Sequence, residues 1–418
     1  MSEIATQAAT PHQRAALATY VVGAALTSTA YIATFQNASV AAPALTGSAS
    51  AGGLPSSAAV AGTAIAAAAL SALMAVRGRR VGIVSGVAIA VIGSALTVAA
   101  IAGSSFWILL LGSLLIGFGN AAINLSRYAA ADLVPPGERA GAVGLVVWGS
   151  TVGAVAGPNL VAPANAIGEA AGLSHFAGAF VMSAGILLLA VLIATLGPRP
   201  RREPSPPGGE SSAPRLPIRA LAATLLGSAV GRTAVLALVS GQLVMVLVMT
   251  MTPYHLNHTG HGDATIGLVI SSHMFGMFAL SPLSGRLTRR FGAMRVIAAG
   301  FVTLTAAGLL AAAIPNDGGT ALMVPLFLLG FGWNMGFVAG STLLSSGGAF
   351  ADRARLQGVV DAAIWGTAAL AGVAAGPVVE WAGYGVLCLL GAALAVVLAG
   401  LVGSQGRAAA LSAQPPAP

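Results

Sequence analysis

Four of the six histidines in this chain fall within nineteen residues, and five of its eleven methionines within thirty-three, in one overlapping stretch. It reads Met245, Met249 and Met251, then His255, His258 and His261, then His273, Met274 and Met277. Thioether and imidazole together ligate a soft monovalent metal such as Cu(I). Residues four apart share a helix face. Met245/Met249 and His273/Met277 therefore each present two ligands to one side, and two such faces meeting would offer three sulfurs and one imidazole nitrogen. No carboxylate lies among these ligands, which disfavours Mg or Ca. A methionine pair alone is ordinary packing material. A histidine inside an apolar span is costlier to place and more often functional. The expected metal set is thus Met245, Met249, His273 and Met277. His255, His258 and His261, with Asp263 beside them, read either as an outer capture site on one side of a helical turn or as a solvated loop.

Other polar residues are candidates for a solute pathway. Asn120, Asn124 and Arg127 fall on one helix face by their spacing, and with Tyr31 they are expected to line a cavity and hold an anionic or planar organic substrate. The competing reading has Arg127 reach the membrane interface and pair with Asp132. Thr27, Thr34, Gln36 and Asn37 add polarity to the same span as Tyr31. Arg77, Arg79, Arg80, Arg286, Arg289 and Arg290 are expected at gates, with Asp361 a partner for Arg77, Arg79 or Arg80. No carboxylate stands clearly at mid-membrane, so the sequence lends no support to proton coupling.

The elements that must position these groups follow from composition. The chain has 418 residues, 56% hydrophobic and 7% charged, with mean hydropathy +0.88. A soluble domain carries about 25% charged residues, so this is an integral membrane protein. The apolar stretches approach 20 residues, the length that crosses a ~30 Å hydrocarbon core as helix; barrel strands would be short and alternating. Twelve spans are expected near 15–37, 56–76, 81–103, 106–131, 141–162, 175–196, 232–254, 264–285, 294–314, 321–346, 356–379 and 383–403. Gly and Ala dominate them, which lets membrane helices approach closely. The polar start, Met1 to Arg14, predicts no cleavable signal peptide. The single Cys388 forms no internal disulfide. Residues 198–217 hold seven prolines and five Gly or Ser, a solvated linker. It separates an N-terminal half, 1–197, from a C-terminal half, 218–418.

Arginine sets the expected orientation. All nineteen basic residues are Arg. They cluster in the loops after spans two, eight and ten and in the linker, as Arg199, Arg201, Arg202, Arg215 and Arg219. The other loops carry Glu169, Asp263, Asp317 and Glu380. The positive-inside rule puts the linker and both termini in the cytoplasm. No basic domain is long enough for nucleic acid. No nucleophile motif, phosphate loop or soluble domain supports an enzyme, and no cytoplasmic output domain supports a membrane sensor.

The two halves repeat. Gly117-Phe118-Gly119 answers Gly330-Phe331-Gly332, Trp148-Gly149 answers Trp365-Gly366, and Gly157-Pro158 answers Gly376-Pro377. Parallel repeats meeting at a midplane cavity are a recurring transporter architecture. With Gly285-Arg286-Leu287-Thr288-Arg289-Arg290-Phe291-Gly292 after span eight, Arg77-Gly78-Arg79-Arg80 after span two, and Pro135-Pro136-Gly137-Glu138-Arg139 after span four, the chain resembles the major facilitator superfamily over nearly its whole length. Ala75 and Thr288 stand where that family usually has Asp. The resemblance implies an all-α membrane protein, with twelve transmembrane helices in two pseudo-symmetric six-helix bundles. Met245/Met249 and His273/Met277 further resemble the bacterial copper importers of cytochrome oxidase biogenesis. Relatives with similar motifs are associated with organic substrates such as riboflavin. The expectation is a secondary transporter working by alternating access in the bacterial inner membrane. It would act as a monomer in the lipid bilayer, without cofactor, taking up copper ion or, as the alternative, moving a small organic solute.

Overall fold

The computed structural model describes residues 11–134, 139–198, 218–315, 318–345 and 350–412. The linker residues 199–217, Pro135 to Glu138 and Asp317 lie outside them. The described chain is helical throughout: α1 (Pro11–Thr46), α2 (Leu54–Arg77), α3 (Arg79–Ala102), α4 (Phe106–Ala131), α5 (Arg139–Ala170), α6 (Ala177–Leu196), α7 (Ile218–Gly227), α8 (Ala229–Met249), α9 (Thr252–His258), α10 (Asp263–Phe278), α11 (Ser281–Phe291), α12 (Ala293–Ala313), α13 (Met323–Ser345) and α14 (Phe350–Ser412).

Eleven stretches among these residues are long and apolar enough to span a membrane, and the last runs 46 residues, Val360–Gln405. At ~1.5 Å per residue that is roughly twice the ~30 Å core. Gly383, at φ 84°, breaks the helix there, and the stretch is two crossings. The count is therefore twelve. Large apolar side chains face outward: Leu196 is 82% and Trp381 87% exposed. So much outward apolar surface on helices of spanning length suits a lipid surround.

Spans one and five run longer than expected, at 36 and 32 residues. Polar residues do not stop α1, and several of their hydroxyls bond back to the preceding turn. Thr27 donates to Gly23 O and Thr29 to Ala25 O, both at 2.8 Å, and Ser39 to Phe35 O at 2.9 Å. Each donor is satisfied within its own helix, as a span in lipid requires. Span eight is not continuous: it breaks at Ala279–Leu280, where Pro282 at the start of α11 has no N–H to donate. Span seven breaks after Met249, and Pro253 opens α9.

The chain divides into two compact units: one from Met1–Thr46 with Ala58–Pro204, the other from Gly47–Ser57 with Ser205–Pro418. In unit one, α1 packs on α5 along a small-residue stripe. A Cβ at Gly149, Gly153 or Gly157 would meet Val21 O at 2.7 Å, Ala25 O at 2.1 Å or Thr29 O at 2.5 Å. α3 and α4 meet at Gly93 and Gly112, each tight on the other's carbonyl. α6 is pinned by Asn37, which donates to Phe176 O at 2.8 Å, and by Asn165, whose Oδ1 accepts from Ala179 N at 2.9 Å. In unit two, α8 packs on α14 and α13, and α13 also packs on α10 and α12. Residues 47–57 join this unit: a Cβ at Gly53 would lie 2.1 Å from Gly372 O, and Ser48 donates to Glu380 at 2.7 Å.

Candidate functional site

The second unit holds most of the chemistry-bearing residues. On α10, His273 is completely buried. Its Nδ1 donates to Leu326 O on α13 at 2.9 Å; a carbonyl only accepts, so Nδ1 carries the proton. The neutral ring then bears its lone pair on Nε2, and Nε2 is buried with no hydrogen-bond partner. One turn on, Met277 packs on α13: a Cβ at Gly330 would lie 2.4 Å from His273 O and 3.1 Å from Met277 Cγ. Met245 and Met249 are buried on α8. The two pairs thus sit on different helices that have α13 as a common neighbour.

The outer histidines do not form one face. α9 ends at His258, and Gly260, at φ 85°, turns His261 off the helix. His255 stacks on Tyr384, ring centroids 4.3 Å apart. His258 stacks on Tyr254 at 5.4 Å. His261 Nε2 accepts from Gly319 N at 3.1 Å. Three rings take three different partners. Among the described residues no group of three or more His, Cys, Asp or Glu has metal-holding geometry.

Sequence reasoning missed a polar-aromatic cluster between α8 and α13. Trp333 Nε1 donates to Gln242 Oε1 at 2.7 Å. The indole stacks on Phe337 with centroids 4.7 Å apart and meets Phe278 edge-on at 6.2 Å. One end of the Gln242 amide is thereby fixed, and the Nε2 hydrogens point elsewhere. A glutamine in the otherwise apolar run of span seven was the available signal, since a polar residue inside a span demands a partner. Next to Trp333, Asn334 donates to Met277 O at 2.6 Å and to Ser281 Oγ at 2.8 Å, and accepts from Ser284 Oγ at 2.5 Å. It fills the gap where α10 gives way to α11.

In unit one the structure brings Tyr31, Thr63 and Asn120 together. Tyr31 packs against Ala59 and Ile116; one turn along α2, Thr63 Oγ1 accepts from Asn120 Nδ2 at 3.3 Å and shares its single proton between Ala59 O and Gly117 O. Asn124 Nδ2 donates to Asn120 O at 3.1 Å. Arg127 is half-buried on the same helix. Asp132, the expected interface partner of Arg127, receives Arg79 Nε at 3.1 Å. That pair is about half exposed, so it contributes about 0–1 kcal/mol. Arg80 caps α6 by donating to Ala194 O at 2.9 Å and to Thr195 O; a cation there favourably meets the C-terminal end of the helix dipole. Arg77 is exposed at the end of α2, Asp361 is half-buried on α14, and Arg286, Arg289 and Arg290 are exposed on α11.

Helices joined through glycine stripes, with amide, hydroxyl and indole groups paired inside apolar spans, make a polytopic helical membrane bundle. The Major Facilitator Superfamily profile matches residues 16–262 and 233–405. The chain belongs to the major facilitator superfamily. It is 33% identical to the uncharacterized MFS-type transporter YddS of Bacillus subtilis over 77% of this chain and 74% of that one. It is 30% identical to the riboflavin transporter RfnT of Brucella anthropi over 73% of this chain and 74% of that one. Among solved structures it is similar to the nucleoside transporter NupG, with a TM-score of 0.72 at 16% identity over 93% of this chain and 99% of that one. At that identity the likeness shows the fold alone. Family and relatives are transporters, not enzymes.

Proposed function

We propose that this transporter carries a small planar organic solute bearing carbonyl acceptors, of the flavin type. The observation that carries this reading is the Gln242–Trp333 pair with its stacked Phe337. An indole face stacks on a planar ring, worth about 1–3 kcal/mol per ring. The oriented amide offers N–H donors to a ring carbonyl. The 30% identity to a protein named as a riboflavin transporter supports the same class. Uptake of riboflavin into cells lacking their own importer tests it. Uptake above empty-vector cells, and its loss in Gln242→Ala and Trp333→Ala at normal abundance, is the expected result; no uptake of riboflavin sinks the assignment.

Copper uptake is the second reading. One observation favours it: His273 presents a buried, unpartnered Nε2 lone pair in a region without carboxylates. Copper accumulation in the same cells decides between the two cargoes. The arginine-rich loops support cytoplasmic termini in a bacterial inner membrane. In a Cys388→Ala background, a cysteine at Thr259 should react with an impermeant thiol reagent in intact cells; protection there reverses the orientation.

A further inference from the structure

α11 is a cationic helix: it carries three arginines and no acidic residue. Arg286, Arg289 and Arg290 lie three and four residues apart and so share a face; Arg295 follows one turn into α12. All four are exposed. Ser284 and Thr288, on the opposite face, are buried, and Thr288 Oγ1 donates to Ser284 O at 2.8 Å. The sequence contains no Asp or Glu from 264 to 316. Among the described residues the ion pairs are Arg79–Asp132 and His175–Glu169, so none of the four arginines is neutralised by one. Four cations on one short segment repel each other.

Their depth identifies what can neutralise them. α10 alone is 16 residues, about 24 Å and short of the ~30 Å hydrocarbon core. The whole stretch Asp263–Phe291 is 29 residues, at most about 43 Å given the break between α10 and α11, which reaches past the hydrocarbon core into the ~40–45 Å thickness that includes the headgroups. α11 therefore ends at headgroup depth. Beside the guanidinium groups, Leu283 and Phe291 are 40% and 44% exposed, and Arg290 lies over the Phe291 ring, 5.3 Å from its centroid. A soluble anion has no use for these apolar groups. A molecule with a phosphate and acyl chains uses both.

We propose that the α11 face, with Arg286, Arg289, Arg290 and Arg295 flanked by Leu283 and Phe291, is a binding surface for an anionic phospholipid. Guanidinium forks take the phosphodiester oxygens, and the two apolar side chains lie against the acyl chains. A ligand that binds only the folded state raises its stability in proportion to the logarithm of its concentration over Kd. Purified full-length protein in neutral detergent should therefore melt higher with added phosphatidylglycerol and not with phosphatidylcholine. Raising salt should erase the gain. In the quadruple variant Arg286→Gln, Arg289→Gln, Arg290→Gln, Arg295→Gln more than half of the gain should vanish, while the same four positions changed to Lys should retain most of it. Because salt titration of the unmodified protein reads the same electrostatics, the test stands even if the glutamine variant folds poorly. An undiminished gain in that variant, or an equal gain with phosphatidylcholine, overturns the proposal. If inorganic phosphate reproduces the gain, the surface takes soluble anions and the lipid assignment is also overturned.

Discussion

The two units use one packing scheme for two kinds of chemistry. In unit one, Gly117 of α4 sits against Ala59 O and Thr63 N of α2; in unit two, Gly330 of α13 sits against His273 O and Met277 N of α10. Two residues on, Gly119 meets Ala90 of α3 and Gly332 meets Gly300 O of α12. The repeated Gly-Phe-Gly thus wedges a central helix between the same two neighbours in each unit. What hangs on that scaffold differs. Asn120 and Trp333 each stand three residues after the first glycine, yet one joins a hydroxyl–amide network and the other an aromatic stack. Ala59 and Thr63 occupy the places that His273 and Met277 take in unit two. Backbone approach is retained because only glycine permits it. Side chains around it are free to diverge, and the second unit has become the softer and more aromatic one.

The shared part of the comparison makes the largest prediction. A Cβ at Gly117 would lie 2.2 Å from Ala59 O, and one at Gly330 2.4 Å from His273 O. Both obstacles are backbone, so a helix must move, and overpacking of this kind costs about 1–3 kcal/mol or more. Gly117→Ala and Gly330→Ala should each sharply reduce the monodisperse fraction seen by fluorescence-detected size exclusion. Gly144→Ala and Gly366→Ala, which face open space, should not. If one of the wedge variants folds normally and the other fails, the equivalence of the units is broken.

The divergent part predicts unequal effects on transport. Stacking on an indole is worth about 1–3 kcal/mol, and a neutral hydrogen bond about 0.5–1.5 kcal/mol. Trp333→Ala should therefore lower riboflavin uptake by roughly tenfold or more, and Asn120→Ala by only a few-fold, with 1.4 kcal/mol counted as tenfold. Trp333→Phe keeps a ring but loses the donor to Gln242, and should fall between them. Equal losses at 120 and 333 would show that the second unit has no special share in solute binding.

A third contrast lies one residue further along. Asn334 holds three short hydrogen bonds at the α10–α11 break, and its counterpart in unit one is Ala121, beside an unbroken α2. Asn334→Ala removes the partner of Ser284 Oγ and the amide donor to Met277 O, while Ser281 Oγ keeps its bond to Phe278 O, a cost of about 1–3 kcal/mol. Amide hydrogen exchange should accelerate in Ser281–Phe291 and stay unchanged in α2. Unchanged exchange in α11 would mean that the break needs no such filler.

How much of this was legible in the sequence varies with the range of the interaction. Hydropathy and span length gave twelve crossings, because burial in lipid acts on every residue of a span. The Gly-Phe-Gly repeat pointed to equivalent helices, because close approach leaves glycine little substitute. Helix breaks were less visible: Pro253 and Pro282 open new helices after a break, whereas Pro43 and Pro158 sit inside α1 and α5. Neighbouring helices, not local propensity, decide that difference. The histidine triad shows the same limit. Spacing of three implies one face only while the helix continues, and Gly260 ends that condition between His258 and His261. Gln242 with Trp333 joins residues far apart in the chain, and no local pattern carries such a pairing.

The smallest structural effect belongs to Met245→Leu, and it is the sharpest way to separate the two cargoes. Methionine and leucine are close in volume, both apolar, and such swaps in a packed core usually cost less than about 1.5 kcal/mol. Abundance in the membrane should stay near normal, so any change in transport reflects the lost sulfur. If the solute is bound by indole face and amide, Met245 is packing on α8, and riboflavin uptake should remain within about twofold of the unmodified chain. Copper accumulation should equal that of empty-vector cells before and after the substitution. A soft-metal site predicts the opposite: copper uptake present in the unmodified chain and collapsing in both Met245→Leu and His273→Ala, because each removes one neutral donor from a set with no carboxylate to replace it. Measuring both cargoes in the same cells makes the outcomes exclusive. A collapse of copper uptake alone would move the functional weight of the second unit from Gln242 and Trp333 to His273 and its neighbouring thioethers.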